Sequence, residues 1–307
     1  MAFDIEAHRG GRALLPENTL PAFAKALSMG IDTLELDVGV TQDGAIVVSH
    51  ERRLNPDLAR DADGTYVSPP GTPLVRLPLE AVRRYDVGQI RPDSAYAKQF
   101  PEQQAVPGTR IPMLKEVIDL VRKSGNPRVR LNIETKIDPD YPQESPDPET
   151  FVRRILGLLE AEKFTDRVMI QSFDWRTLKI VQQRSPAVPT AYLTLQRGSS
   201  QNVALDKATN WTAGFNPADH RGSLPRTIKA AGGAIWSPHY ADLSPVLIAE
   251  AHDVGLRVIA WTVNQPADME RMIDMGVDGI ISDRPDLLRK IAAEKGIDLP
   301  AGYPVTP

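Results

Sequence analysis

The sequence predicts an α/β protein built as a (β/α)8 (TIM) barrel, and three observations carry that expectation. Eight short apolar or β-branched runs alternate with amphipathic helical stretches along the 307 residues. Several of the helical stretches open on a residue able to cap free N–H groups, and several close on glycine just before the next strand. Ionisable side chains gather at the C-terminal ends of the predicted strands, where barrel active sites form.

Taken in order, the strands fall at 3–8, 31–38, 129–135, 167–172, 189–194, 233–237, 256–262 and 278–282. Helices are predicted at 19–29, 113–124, 148–162, 174–184, 222–231, 244–254, 266–275 and 285–295. Thr19, Asp174, Ser244 and Asp283 are the expected N-caps, and Gly30, Gly255 and Gly276 the expected stops. Alternation of this kind builds a parallel sheet, and eight repeats suggest that it closes. An open doubly wound sheet is the rival, but no GxGxxG follows the first strand.

One stretch breaks the alternation. After a hairpin arm at 44–50, residues 51–112 are rich in Pro, Gly, Asp and Arg with little periodicity. So long a segment without regular elements is usually functional or disordered. We read it as an insertion after the second strand, capping the active-site face of a single domain that spans 1–307.

Composition excludes several classes. Hydrophobic residues at 41% and charged residues at 25% give an ordinary globular balance. A net charge of -4 argues against a broad nucleic-acid footprint, so no nucleic-acid partner is expected, although a few local cations can still hold an anionic substrate. The absence of cysteine removes disulfides, thiolate nucleophiles and cysteine-ligated zinc. No apolar run approaches the ~20 residues of a membrane helix, so no stable membrane insertion is expected. No signal peptide is visible ahead of the first strand, which as written suggests the cytoplasm. Oligomeric state is left open.

The first strand ends in His8-Arg9-Gly10, followed by Pro16-Glu17-Asn18-Thr19 before the first helix. A histidine beside an arginine can join proton transfer to an anion clamp. Alone, His8 reads more readily as a surface or core histidine than as a catalyst, and Asn18-Thr19 most simply as a helix cap. The second strand ends in Glu35-Leu36-Asp37, and residues i and i+2 of a strand share a face. Two parallel carboxylates inside a barrel are hard to keep charged without a cation, and hard oxygen ligands suit Mg2+ or Ca2+. An exposed pair at a strand end is the alternative. Glu134 and Lys136 repeat the spacing with opposite charges, which by itself suggests a salt bridge. Beside Glu35 and Asp37, Glu134 becomes a third oxygen ligand and Lys136 a partner for a phosphate oxygen. His50 closes the hairpin arm, where it could face His8 across a substrate, and two histidines suit general base and general acid roles. Gln171, Trp236 and Trp261 sit at later strand ends, divided between packing and substrate contact.

These motifs together resemble the glycerophosphodiester phosphodiesterase family. The resemblance rests on His8-Arg9-Gly10, Pro16-Glu17-Asn18-Thr19, Glu35-Leu36-Asp37-Val38, Asp43-Gly44 and Ser49-His50. Glu134, Lys136, Gln171-Ser172-Phe173, Trp261-Thr262-Val263-Asn264 and Ser282-Asp283-Arg284-Pro285 continue it to about residue 290. It implies a (β/α)8 barrel and a divalent metal, Mg2+ or Ca2+, on Glu35, Asp37 and Glu134. His8 and His50 would be the acid/base pair, and Arg9 and Lys136 would hold the phosphate of a small glycerophosphodiester. Glu17 and Asn18 join Gln171, Trp236 and Trp261 as candidate substrate contacts, and 51–112 would cap the glycerol end. Glu51 departs from the pattern, because many relatives carry Asp there. Asp86-Val87-Gly88 and the YAxxFP pattern at Tyr96–Pro101 look like bacterial members that are often exported, so a leader trimmed ahead of Ala2 would imply a periplasmic or secreted protein. The rival functions are a phospholipase D-like phosphodiesterase on the same barrel and a non-catalytic barrel that binds polyol phosphates.

Overall fold

The computed structural model describes residues 3–307, and every predicted strand and helix forms in it. The chain runs β1 (Asp4–Ala7), α1 (Leu20–Met29), β2 (Thr33–Val40), β3 (Ile46–Val48), α2 (Leu79–Val82), α3 (Leu114–Lys123) and β4 (Arg130–Thr135). It continues with α4 (Pro148–Ala161), β5 (Val168–Ser172), α5 (Trp175–Arg184), β6 (Thr190–Thr194), α6 (Leu224–Ala230) and β7 (Ile235–Pro238). The last elements are α7 (Pro245–Asp253), β8 (Arg257–Ala260), α8 (Pro266–Asp274), β9 (Gly279–Ser282) and α9 (Pro285–Glu294). All strands but β3 pair in parallel, in the order β1-β9-β8-β7-β6-β5-β4-β2, and the β1–β2 pairing closes the barrel. The hairpin arm β3 lies antiparallel on β2.

Three of the four expected caps hold. Thr19 accepts from the Ala22 N–H, Asp174 from Arg176 and Ser244 from Leu247. Asp283 corrects the fourth: α9 begins at Pro285 with Arg284 before it and no side-chain cap. The Asp283 carboxylate turns to His8 and Arg12 instead.

Strand alternation sorts the core into layers. Outward residues such as Leu36, Ile133 and Ile170 pack with Phe23, Phe151 and Trp175 of the helices in one apolar layer. The lumen is divided. On one side Met169, Ala191, Ile235, Ile259 and Ile281 form an apolar cluster. On the other, β1, β2 and β4 bury Asp4, Glu6, Glu35, Asp37, Asn132 and Glu134. Buried charge needs partners, and towards the strand starts Asp4 takes Arg130 at 2.6 Å and the Thr33 hydroxyl at 2.8 Å.

The same alternation corrects the expectation for Trp236. Ile235 belongs to the lumen cluster, so its neighbour Trp236 turns to the helix layer. Trp236 is fully buried there, with Nε1 donating to Thr194 Oγ1 at 2.9 Å, and does not face the cavity.

Residues 51–112 are more ordered than their composition suggests. Leu54, Ala59, Leu74, Val82 and Ile111 gather with Val47 of β3 in a small core of their own. Apart from α2 the segment holds short 3-10 turns and isolated bridges, which have no sequence period to display. It meets the β1–α1 loop, where the Gln104 N–H donates to the Leu14 carbonyl at 2.9 Å. Among the described residues no helix is long and apolar enough to cross a membrane.

Replacing Trp236 by Ala should therefore cost about 3–5 kcal/mol of stability, as for other large-to-small changes in a core. Urea unfolding checks this, and a loss within ~0.5 kcal/mol, the range of surface substitutions, would contradict the buried placement.

Candidate active site

Strand register builds the centre of the site. The β2–β4 pairing sets Asp37 beside Glu134, and Glu35 lies two residues back on the same face of β2. One oxygen from each of Glu35, Asp37 and Glu134 lies within 4.8 Å of the others, and all three residues are buried.

Such proximity is electrostatically costly. Burial, with Asp37 and Glu134 nearby, pushes Glu35 well above the usual carboxylate range. Burial also lifts Glu134 to about 7, against the pull of Lys136, whose Nζ is 2.6 Å from Glu134 Oε1. Asp37 is buried too, yet His50, Arg9, Lys136 and the Asn18 amide hold it far below its ordinary value. Asp37 Oδ1 is buried with no hydrogen-bond partner. Three converging carboxylates, one with an orphaned oxygen, fit a divalent cation bound through hard oxygen ligands.

Donors fix the direction of each carboxylate. Asn18 Nδ2 donates to Asp37 Oδ2 at 2.9 Å, Gln171 Nε2 to Glu35 Oε1 at 2.7 Å and the Arg9 N–H to Glu35 Oε2 at 2.8 Å. The last bond depends on the turn after β1. Arg9 and Gly10 have φ of 51° and 82°, and a Cβ on Gly10 would meet the Ala22 Cβ at 2.9 Å. Only glycine fits there. Arg9 Nη1 is paired with Glu17 Oε1 at 2.8 Å, and its Nε lies 3.3 Å from Asp37 Oδ2.

The two histidines are held alike. The β1–β9 register pairs Ala7 with Ser282, which brings the next residues, His8 and Asp283, side by side. His8 Nδ1 meets Asp283 Oδ1 at 2.6 Å, and Nε2 lies 3.9 Å from Glu35 Oε2. With a carboxylate as acceptor, the proton of neutral His8 is assigned to Nδ1, leaving Nε2 a free base. Burial, helped by Arg12 and Arg9, lowers His8 to about 4 despite Asp283. His50 Nδ1 meets Glu51 Oε1 at 2.8 Å, so the longer glutamate still reaches its histidine. Burial, Arg9 and Lys136 hold His50 below its ordinary value.

His8, Arg9, Glu35, His50, Glu134 and Lys136 line one cavity of about 640 Å³, with Gln171 and Trp261 also on its wall. Trp261 Nε1 donates to the Ser237 carbonyl at 2.8 Å while its ring meets Phe173 edge-on at 5.3 Å. Glu17 and Asn18 stand behind this wall, holding Arg9 and Asp37. Sequence reasoning missed Asp283 as the partner of His8, and also Arg12, whose Nε donates to the same Asp283 oxygen at 2.7 Å. The usable signal for Asp283 was its place one residue past a strand that closes onto β1.

Known proteins match most of the chain. Residues 8–287 match the model of the glycerophosphoryl diester phosphodiesterase family. A glycerophosphodiester phosphodiesterase of Caldanaerobacter subterraneus subsp. tengcongensis is 29% identical over 95% of this chain and 98% of its own. One from Bacillus subtilis is 30% identical over 93% of this chain and 85% of its own. A solved structure from Silicibacter pomeroyi DSS-3, assigned as a glycerophosphoryl diester phosphodiesterase, superposes with a TM-score of 0.86 at 33% identity, over 97% of this chain and 95% of that one. An Oleispira antarctica phosphodiesterase, solved with its product sn-glycerol-3-phosphate, shares the fold with a TM-score of 0.68 at 20% identity, over 94% of this chain and 96% of its own. A family match from the histidine just after the first strand to the opening of the last helix leaves one assignment: the chain belongs to the glycerophosphoryl diester phosphodiesterase family.

Proposed function

We propose that the chain hydrolyses glycerophosphodiesters to glycerol 3-phosphate and an alcohol, with Mg2+ or Ca2+ on Glu35, Asp37 and Glu134. The observation that carries this reading is a cluster of three carboxylates, two of them on the wall of one cavity that two cations and two carboxylate-bound histidines also line. When bound, the metal supplies positive charge that neutralises the phosphate and lowers the pKa of the attacking oxygen.

The chain's own groups do the rest. Arg9 and Lys136 bind phosphate oxygens and orient the phosphorus between the histidines. The attacking oxygen comes from water, or from the 2-hydroxyl of the substrate's own glycerol to give a cyclic phosphate that water then opens. As its bond to phosphorus forms, its proton passes to His8 Nε2, and Asp283 steadies the imidazolium. As the bond from phosphorus to the leaving alcohol breaks, His50 delivers a proton to that oxygen. Asp37 and Glu51 favour the protonated form of His50, and the charge of a bound phosphodiester offsets Arg9 and Lys136. The insertion at 51–112 closes the end of the cavity that receives glycerol.

His8→Ala and His50→Ala should each lower kcat on glycerophosphocholine on the order of 10²–10⁴-fold. Near-wild-type turnover by both variants would remove the acid/base assignment. Choline released from intact phosphatidylcholine, with none of the water-soluble diester hydrolysed, would favour the lipid phosphodiesterase instead.

Metal binding should also depend on pH in a set direction. Glu35 and Glu134 both hold protons more tightly than ordinary carboxylates, Glu134 up to about 7, so protons compete with the cation as pH falls. The rise in Tm on adding Mg2+ or Ca2+ should shrink as pH is lowered from about 8 to about 6, and vanish in Asp37→Asn. An equal rise at both pH values, or in the variant, would contradict the ligand set.

A further inference from the structure

The YAxxFP pattern at Tyr96–Pro101 has no part in the chemistry described so far. Its two aromatic residues converge on Arg12. Arg12 Nη1 donates to the Tyr96 hydroxyl at 3.1 Å, and the Arg12 guanidinium lies over the Phe100 ring, 4.8 Å from its centroid. The two rings meet edge-on at 5.2 Å, and Gln103 Nε2 donates to the Arg12 carbonyl at 2.6 Å. The insertion thus grips this arginine from three residues.

What Arg12 and Tyr96 touch next gives the grip its meaning. Arg12 Nε donates to the Asp283 oxygen that binds His8 Nδ1. The Tyr96 hydroxyl donates to Glu17 Oε2, while Glu17 Oε1 holds Arg9 Nη1 at 2.8 Å. One phenol oxygen is therefore bonded both to the partner of the phosphate clamp and to a partner of the base's own carboxylate. A long guanidinium loses much rotational freedom when fixed, so it stays in one place only where several contacts hold it. Removing one of them leaves charged, partly buried groups short of a partner.

We propose that Tyr96 is a positioning residue: its hydroxyl, anchored on Glu17, couples docking of the insertion to the placement of His8 through Arg12 and Asp283. This rests on the functional reading above, in which His8 and Arg9 act on a phosphodiester. Without the hydroxyl the cavity keeps its metal ligands and both histidines but loses the alignment of one.

Tyr96→Phe tests this, because it retains the ring and its contact with Phe100. The kcat for glycerophosphocholine should fall on the order of tenfold, the lower end of what outer partners of a site typically cost. KM should stay within about twofold and Tm within a few degrees, a split that a merely structural role would not give. Combined with Asp283→Asn, the loss should be little more than that of Asp283→Asn alone, since both act on His8 along one line. Nitrogen-15 spectra of the histidine rings should show His8 with a protected Nδ1–H in wild type and an exchange-broadened one in Tyr96→Phe. Wild-type kcat in Tyr96→Phe, or a loss fully additive with Asp283→Asn and an unmoved His8 signal, would overturn the proposal. If the wild-type protein turned over no glycerophosphodiester, the functional reading would fall, and the ring spectra alone would decide the coupling.

Discussion

Three carboxylates buried within 4.8 Å of one another repel, and much of the surrounding structure answers that repulsion. Arg9 and Lys136 bring positive charge to the cluster from two different strand ends. Asn18 and Gln171 turn amide donors onto it, and the left-handed turn at Arg9 aims a backbone N–H at Glu35. A divalent cation would complete the balance beside Asp37 Oδ1, which has no hydrogen-bond donor and whose nearest cation, Lys136 Nζ, is 3.8 Å away. The half-polar lumen follows from the same need. Donors for buried carboxylates must come from neighbouring strands, so β1, β2, β4 and β5 carry polar inward residues such as Asn132 and Gln171 while the far wall stays apolar.

The two histidines have similar partners in unlike surroundings. Each has a carboxylate on Nδ1, which leaves Nε2 free of that partner. Asp283 is buried and tied to Arg12 and Asn264, so His8 sits in a fixed frame. Glu51 is exposed and is the first residue of the insertion, just past the hairpin arm. Of the two, His8 is the more enclosed and His50 the more exposed, which suits the base and acid roles proposed for them.

Much of this was legible in the sequence because barrels follow short-range rules. The period-two face of a strand placed Glu35 with Asp37, and the alternation of elements placed Glu134, His8 and His50 at the same end. What stayed hidden depended on long-range register. Asp283 looked like a helix cap because its partner His8 is 275 positions away. Trp236 looked like a cavity residue because nothing local tells which of two adjacent strand residues faces inward. Residues 51–112 looked structureless because their order comes from a cluster of scattered apolar residues, from Val47 to Ile111, rather than from a repeat. Tyr96 and Arg12 meet only once the insertion is docked.

The central claim is that the carboxylate cluster works as a metal site for phosphodiester hydrolysis. Release of glycerol 3-phosphate from glycerophosphocholine by EDTA-stripped protein, then by the same protein with Mg2+ or Ca2+ restored, tests it most directly. The account predicts no turnover in the chelator and recovery with the ion. Undiminished turnover of the fully stripped protein would contradict it.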